Sequence, residues 1–205
     1  MPNSTPQQYV DEIIRDLPGL SDNHRLLASL SNELPLLAEA APDPLLSALE
    51  RMLGGEGSAI KGIFNESEHL LTPHSAHTGL LWALESLAWD PALLRRATYV
   101  LARLADIDPG GRLTNRPINS LRMIFLSWHP NTNANLNQRL AALDYIIRRV
   151  PDVAWQLLVK LFPKGNDSSM PSAMPRFREA GSSEQELLTN GVVWESQRQI
   201  VSRAL

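Results

Sequence analysis

The chain has 205 residues, enough to bury a real core, and its 43% hydrophobic and 20% charged content is that of a folded protein rather than a disordered one. It has no cysteine, which excludes disulfides, thiolate zinc sites, iron–sulfur clusters and cysteine nucleophiles. The net charge of −3 conceals an acidic first part, with 4 basic against 13 acidic residues up to Asp90, and a basic remainder, with 15 against 9 and arginine predominating.

The periodicity is helical along almost the whole chain. Ser4 or Thr5 is a candidate cap for a first helix with Pro6 at its first position and Tyr9, Val10, Ile13 and Ile14 on one stripe. Pro18-Gly19 stops it, and Ser21 or Asp22 opens a second with Leu26, Leu27 and Leu30. Ser31 and Pro35 break and restart the pattern. Asp43-Pro44 then reads as a cap followed by a first-turn proline, ahead of Leu45, Leu46, Leu49 and Leu53. "GGEG" at 54–57 is a loop, and a short helix is expected around Ile60, Ile63 and Phe64.

From Thr72-Pro73 the pattern is firmest. Leu80, Leu81, Leu84 and Leu87 make one stripe; Asp90-Pro91 closes that helix and begins the next, with Leu94, Ala97, Val100, Leu101 and Leu104. Pro117 to Trp128 and Leu136 to Ile147 repeat the arrangement around Trp128-His129-Pro130, and Pro151 starts a further helix through Leu161. Residues 163–182 are rich in Pro, Gly and Ser and read as a flexible segment, and 183–205 as a last helix that Gly191 interrupts. The organisation expected is a helical-repeat domain over 1–162, with N-terminal helices in 1–71 and two Trp-x-Pro helix pairs in 72–162. The flexible segment and the C-terminal helix follow it. The apolar pattern stops at Leu205 without a cap, which predicts a piece of a longer protein.

Trp89 and Trp128 lie 39 residues apart, as do Pro91 and Pro130. Superposing them makes each unit a pair of helices joined at a proline turn, with about four extra residues, "NTNA", in the second copy. A two-helix unit of roughly 40 residues has the length of HEAT and armadillo repeats. The fold expected is all-α: stacked helical hairpins in a HEAT/armadillo-like solenoid, or an irregular helical bundle. Trp82, Trp89, Trp128 and Trp155 are expected to pack the core and the joints between units rather than to stack on bases.

No residue set points to catalysis. The cluster "NESEHLLTPHSAH" holds His69, His74 and His77, but it lacks HExxH and any closed set of ligand spacings. These three are therefore weak metal candidates, and no cofactor is expected. "GGEGSAIKG" lacks the phosphate-loop pattern, and no G-x-S-x-G is present. The arginines are more informative. Arg95, Arg96, Arg103, Arg139, Arg148 and Arg149 recur on the second helices of the two units. Aligned, Arg95, Arg96 and Arg139 would form a basic stripe for a protein partner or for nucleic acid, unless they pair with the acidic N-terminal part. No run is long and apolar enough to span a membrane, and the first residues lack the layout of a signal peptide, so a cytoplasmic, reducing location is expected.

Five short motifs occur together: Asp108–Gly111, Asn115–Pro117, Trp128–Thr132, Pro151–Trp155 and Pro175–Arg178. Through them residues 78–180 resemble the helical region of very large bacterial proteins, some of which carry nucleotide-binding or effector domains like those of STAND-type defence NTPases. The resemblance implies a sensor, linker or scaffold region and brings no catalytic residues, since this chain has no phosphate loop. The function expected is a non-catalytic interaction, sensing or scaffold module. The alternatives are nucleic-acid binding through the arginines and, more remotely, a metal-dependent helical hydrolase using His69, His74 and His77.

Overall fold

A computed structural model describes residues 5–66, 75–181 and 187–205. Among them the chain is all-α, with no strand. The helices are α1 (Pro6–Arg15), α2 (His24–Ser29), α3 (Leu34–Ala40), α4 (Pro42–Met52), α5 (His77–Ala88), α6 (Leu94–Asp106), α7 (Pro117–Phe125), α8 (Leu136–Arg149), α9 (Pro151–Leu161) and α10 (Asn190–Ala204), with a 3-10 turn at Lys61–Phe64.

Local chemistry explains most of the starts. Thr5 and Gln8 form a reciprocal capping box at α1, and Asn135 and Gln138 do the same at α8, so two otherwise unpaired N–H groups are satisfied at each. Pro6, Pro42, Pro117 and Pro151 each open a helix, where a missing N–H costs nothing. Three expectations shift. Asn23, not Ser21 or Asp22, caps α2, and α4 starts at Pro42, so Asp43 lies in its first turn instead of capping it. Pro91 does not open α6. Asp90 organises that turn, accepting Ala92 N–H on its side chain and Leu93 and Leu94 N–H on its carbonyl.

The helices pack as pairs in two layers. In one layer α3 packs on α5, α5 on α7 and α7 on α9; in the other α4 packs on α6, α6 on α8 and α8 on α10. A single apolar core runs from Leu20 to Ile200, so α10 belongs to the same body, and Gly191 sits in its first turn without interrupting it. Gly79 permits the closest approach. A Cβ there would lie 1.8 Å from the carbonyl oxygen of Ser31, so any side chain would push the α2–α3 turn off α5.

The extra residues of the second unit have a structural task. Thr132 Oγ1 donates to the Ala88 carbonyl (2.7 Å), and the Asn133 N–H donates to the Trp89 carbonyl (3.2 Å). Residues 131–134 therefore satisfy carbonyls at the end of α5 that no helical N–H reaches. They seat one pair on the next.

The two motifs that precede α7 form a second joint. Arg116 is buried and pairs with Glu66 and with Asp108 (3.1 Å), while Glu66 also accepts the N–H groups of Arg112 and Leu113. Those N–H bonds and the Arg116 charge hold the Glu66 carboxyl below the usual carboxylate range. Gly111, at φ +155°, lies so close to Arg116 and Glu66 that a Cβ would meet both.

Candidate interaction surfaces

The weak metal reading does not survive at His77. Its ring is fully buried, with Nδ1 2.6 Å from Ser75 Oγ and Nε2 2.9 Å from the Asn115 carbonyl. Both nitrogens are engaged within the protein, and burial pushes the imidazole below its ordinary pKa against the opposing effect of the Asn115 carbonyl. His69 and His74 lie outside the described residues. Among the described residues no group of three or more His, Asp or Glu side chains is placed to hold a metal ion.

The six arginines separate into two classes. Arg96 leaves α6 to pair with Asp43 (2.7 Å) and Glu50 (2.9 Å), and it donates to Ser47 Oγ; Glu50 foremost holds the guanidinium above its usual pKa. Arg103 donates to the Gly55 carbonyl (2.8 Å). Arg139 is buried at 5% exposure, beside a recess of about 250 Å³ lined by Trp89, Thr132 and Leu188. An exposed stripe through Arg95, Arg96 and Arg139 is therefore corrected: Arg96 serves the joint between the acidic and basic parts, and Arg139 is interior.

Arg95, Arg148 and Arg149 are exposed. The guanidiniums of Arg95 and Arg149 lie 5.7 and 5.5 Å from the centre of the Tyr145 ring, which meets Tyr99 edge-on at 5.3 Å. The arrangement holds two cations against one aromatic ring through quadrupole attraction. Beside it is a cavity of about 520 Å³ lined by Glu50, Arg95, Arg96, Tyr99 and Tyr145. It is built on α4, α6 and α8, so its geometry is set by rigid helices. Of its lining residues Glu50 is the one carboxylate, and it is paired with Arg96 (2.9 Å).

The opposite layer carries a feature that composition misrepresents. Residues 163–181 are irregular, but the stretch expected to be flexible is laid across the C-terminal halves of α3, α5 and α7 as a strap. Asp167 meets Arg122 and accepts from Trp128 Nε1 (3.3 Å); although burial works against it, these partners and the Ser168 N–H hold its carboxyl below the usual range. Asn131 Nδ2 donates to the Met170 carbonyl (3.2 Å) and Trp89 Nε1 to the Ala173 carbonyl (2.9 Å). The Ala173 N–H donates to Glu85, which also accepts from Ser120 Oγ (2.6 Å). Three consecutive N–H groups, of Arg176, Phe177 and Arg178, converge on the Glu39 carboxylate at 2.6–3.0 Å. Burial raises the Glu85 carboxyl above its ordinary range.

Periodicity pointed to none of Glu39, Glu85, Asn131 or Asn133 as recognition residues. One signal was present: Glu85 is the single charged residue of α5, on a helix otherwise apolar nearly all round. The tryptophans also divide differently from expectation. Trp89 and Trp128 hold the strap, while Trp82 and Trp155 are surface residues, 47% and 54% exposed, instead of core.

No described helix is long and apolar enough to cross a membrane. No protein-family model, no curated protein and no solved structure matches this chain.

Proposed function

We propose that the protein is a non-catalytic interaction module, a scaffold of stacked helix pairs of the HEAT/armadillo kind, and that it belongs to a larger bacterial, defence-related protein. Its partner is a protein with an acidic surface. The observation that carries this reading is the pair of exposed arginines, Arg95 and Arg149, set against Tyr145 on rigid helices, with exposed Arg148 next in the chain, beside a cavity whose one carboxylate is paired with Arg96. Aromatic and arginine side chains are the residue types that dominate binding energy at protein interfaces. Charge complementarity would speed the encounter as well as orient it.

The test is affinity capture from host lysate with the wild-type chain and with Arg95→Glu/Arg149→Glu, each with and without nuclease. The expected result is a protein retained in both nuclease arms and lost about tenfold or more by the double variant, a change of about 1.4 kcal/mol. Retention by both chains alike would refute the assignment to this face. The second reading, nucleic acid, is favoured by the same flanked tyrosine, which presents an aromatic face among cations. It requires retention only without nuclease, and an affinity for oligonucleotides that falls about tenfold or more between roughly 50 and 200 mM salt.

A further inference from the structure

We propose that the groove under the strap is a recognition site for an extended peptide of a partner protein, and that residues 165–181 are an internal occupant which that peptide displaces.

The contacts that hold the strap are those of a peptide receptor. The body reaches the strap's main chain with side chains: Trp89 and Asn131 donate to carbonyls, Glu85 and Glu39 accept N–H groups, and Asn133 Nδ2 donates to the Ala180 carbonyl (3.1 Å). Two of these receptors, Glu39 and Glu85, are carboxylates buried to 8% and 6% exposure, and main-chain N–H groups of the strap are what occupy them. Recognition through main-chain groups gives affinity that depends little on side chains and leaves specificity to a few pockets. Here Arg122 and Trp128 form one such pocket, occupied by the Asp167 carboxylate.

The strap fills this site incompletely. Met170, Met174 and Phe177 are 69%, 61% and 81% exposed, so its large apolar side chains point to solvent. Toward the body it presents Ser172, whose hydroxyl is buried with no hydrogen-bond partner. A buried, unsatisfied polar group opposes docking. On either side of Trp82 lie cavities of about 400 and 660 Å³, both bordered by Ser172; Met123 lines the first and Leu36 the second. Space beside an exposed tryptophan, next to an unsatisfied serine, suits an apolar side chain. The partner segment is therefore extended, with an acidic residue at the Asp167 position, an apolar residue five positions later, and free N–H groups at the positions of Ala173 and of Arg176 to Arg178. Tethering favours the internal segment through its effective concentration, which short flexible links set in the millimolar range. A partner overcomes that advantage by filling what Ser172 leaves empty.

The experiment uses labelled synthetic peptides of residues 165–181 and the full chain. The strap of the chain is loosened from its own side by Asp167→Ala with Ala173→Pro, which leaves every groove residue in place. By fluorescence anisotropy the wild-type peptide is expected to bind the loosened chain at least tenfold more tightly than the wild-type chain. A peptide carrying Ser172→Val is expected to gain about a further tenfold by removing the unsatisfied hydroxyl, and one carrying Ala173→Pro to bind neither chain. Adding Glu39→Ala to the loosened chain should abolish binding. Absence of saturable binding to a loosened chain that still melts cooperatively would overturn the proposal. So would equal binding to both chains, or a loosened chain that dimerises by exchanging straps and resists the peptide. Should the loosened chain not fold, hydrogen exchange on the wild-type chain decides: excess Ser172→Val peptide must accelerate exchange of the Ala173 and Arg176–Arg178 amides, and unchanged rates would refute displacement.

Discussion

The two layers of the stack are made from the same helix pairs and finished in opposite ways. Across α3, α5 and α7 the chain lays its own residues 163–181, fastened by carboxylates and amides that sit at buried positions. Across α4, α6 and α8 no such irregular strap lies among the described residues, and exposed Arg95 and Arg149 flank Tyr145, which packs on Tyr99. Within each layer a helix contacts mainly the next helix of that layer. The strap adds a link that runs from α7 past α5 to α3, so contacts far apart in sequence stabilise the first layer where the second relies on adjacent pairs alone. Buried polar groups on a helix can thus mark a docked segment of main chain as readily as they mark chemistry.

That contrast breaks most visibly at Glu39. Glu39→Ala leaves three strap N–H groups without their acceptor and is expected to cost about 2 kcal/mol in urea denaturation. Arg95→Ala with Arg149→Ala, on the bare face, should stay within about 0.5 kcal/mol while altering partner capture. Similar losses on both faces would mean that the strap carries no more stability than the arginines.

A pH titration sharpens the same difference. The Glu85 carboxyl is raised in the folded protein by burial, so its folded state favours the neutral form. The associated stability is fully present below the unfolded carboxyl pKa and is lost as pH rises through the folded value. Glu85→Gln stays neutral and should therefore gain relative to wild type with rising acidic pH, by at most about 1.4 kcal/mol per pH unit for one ionising group. A difference between the two proteins that stays constant from about pH 4 to 7 would contradict the buried, strap-bound carboxyl.

A smaller effect than at Glu39 is expected at the joint beneath both faces. Thr132→Val removes the bond to the Ala88 carbonyl and should cost about 1 kcal/mol, read as a modest fall in Tm. Both layers should feel it alike, which hydrogen exchange in α7 and α8 would show.

Much of this architecture was legible before any coordinates. The 3.6-residue recurrence of leucines placed the helices, and Pro6, Pro117 and Pro151 announced three starts. The error at Asp43-Pro44 came from two prolines two residues apart, of which Pro42 was the operative one. The site was much less legible. Arg95 and Arg149 were singled out by type, but Arg96 and Arg139 looked identical to them in sequence. Only the positions of Asp43, Glu50 and the α8 interior separate the four.

Local periodicity and capping thus determined the class of the fold, because a helix is specified by neighbours three and four residues away and its apolar face by their spacing. Tertiary structure alone decided the fate of residues 163–181. Their composition lacks the apolar weight that drives autonomous folding, and their order depends on Glu39, Glu85, Trp89 and Asn131, which lie roughly 40 to 140 residues away in the chain. It also decided which arginines face solvent, since a guanidinium reports its partner only when the opposing carboxylate has been brought beside it.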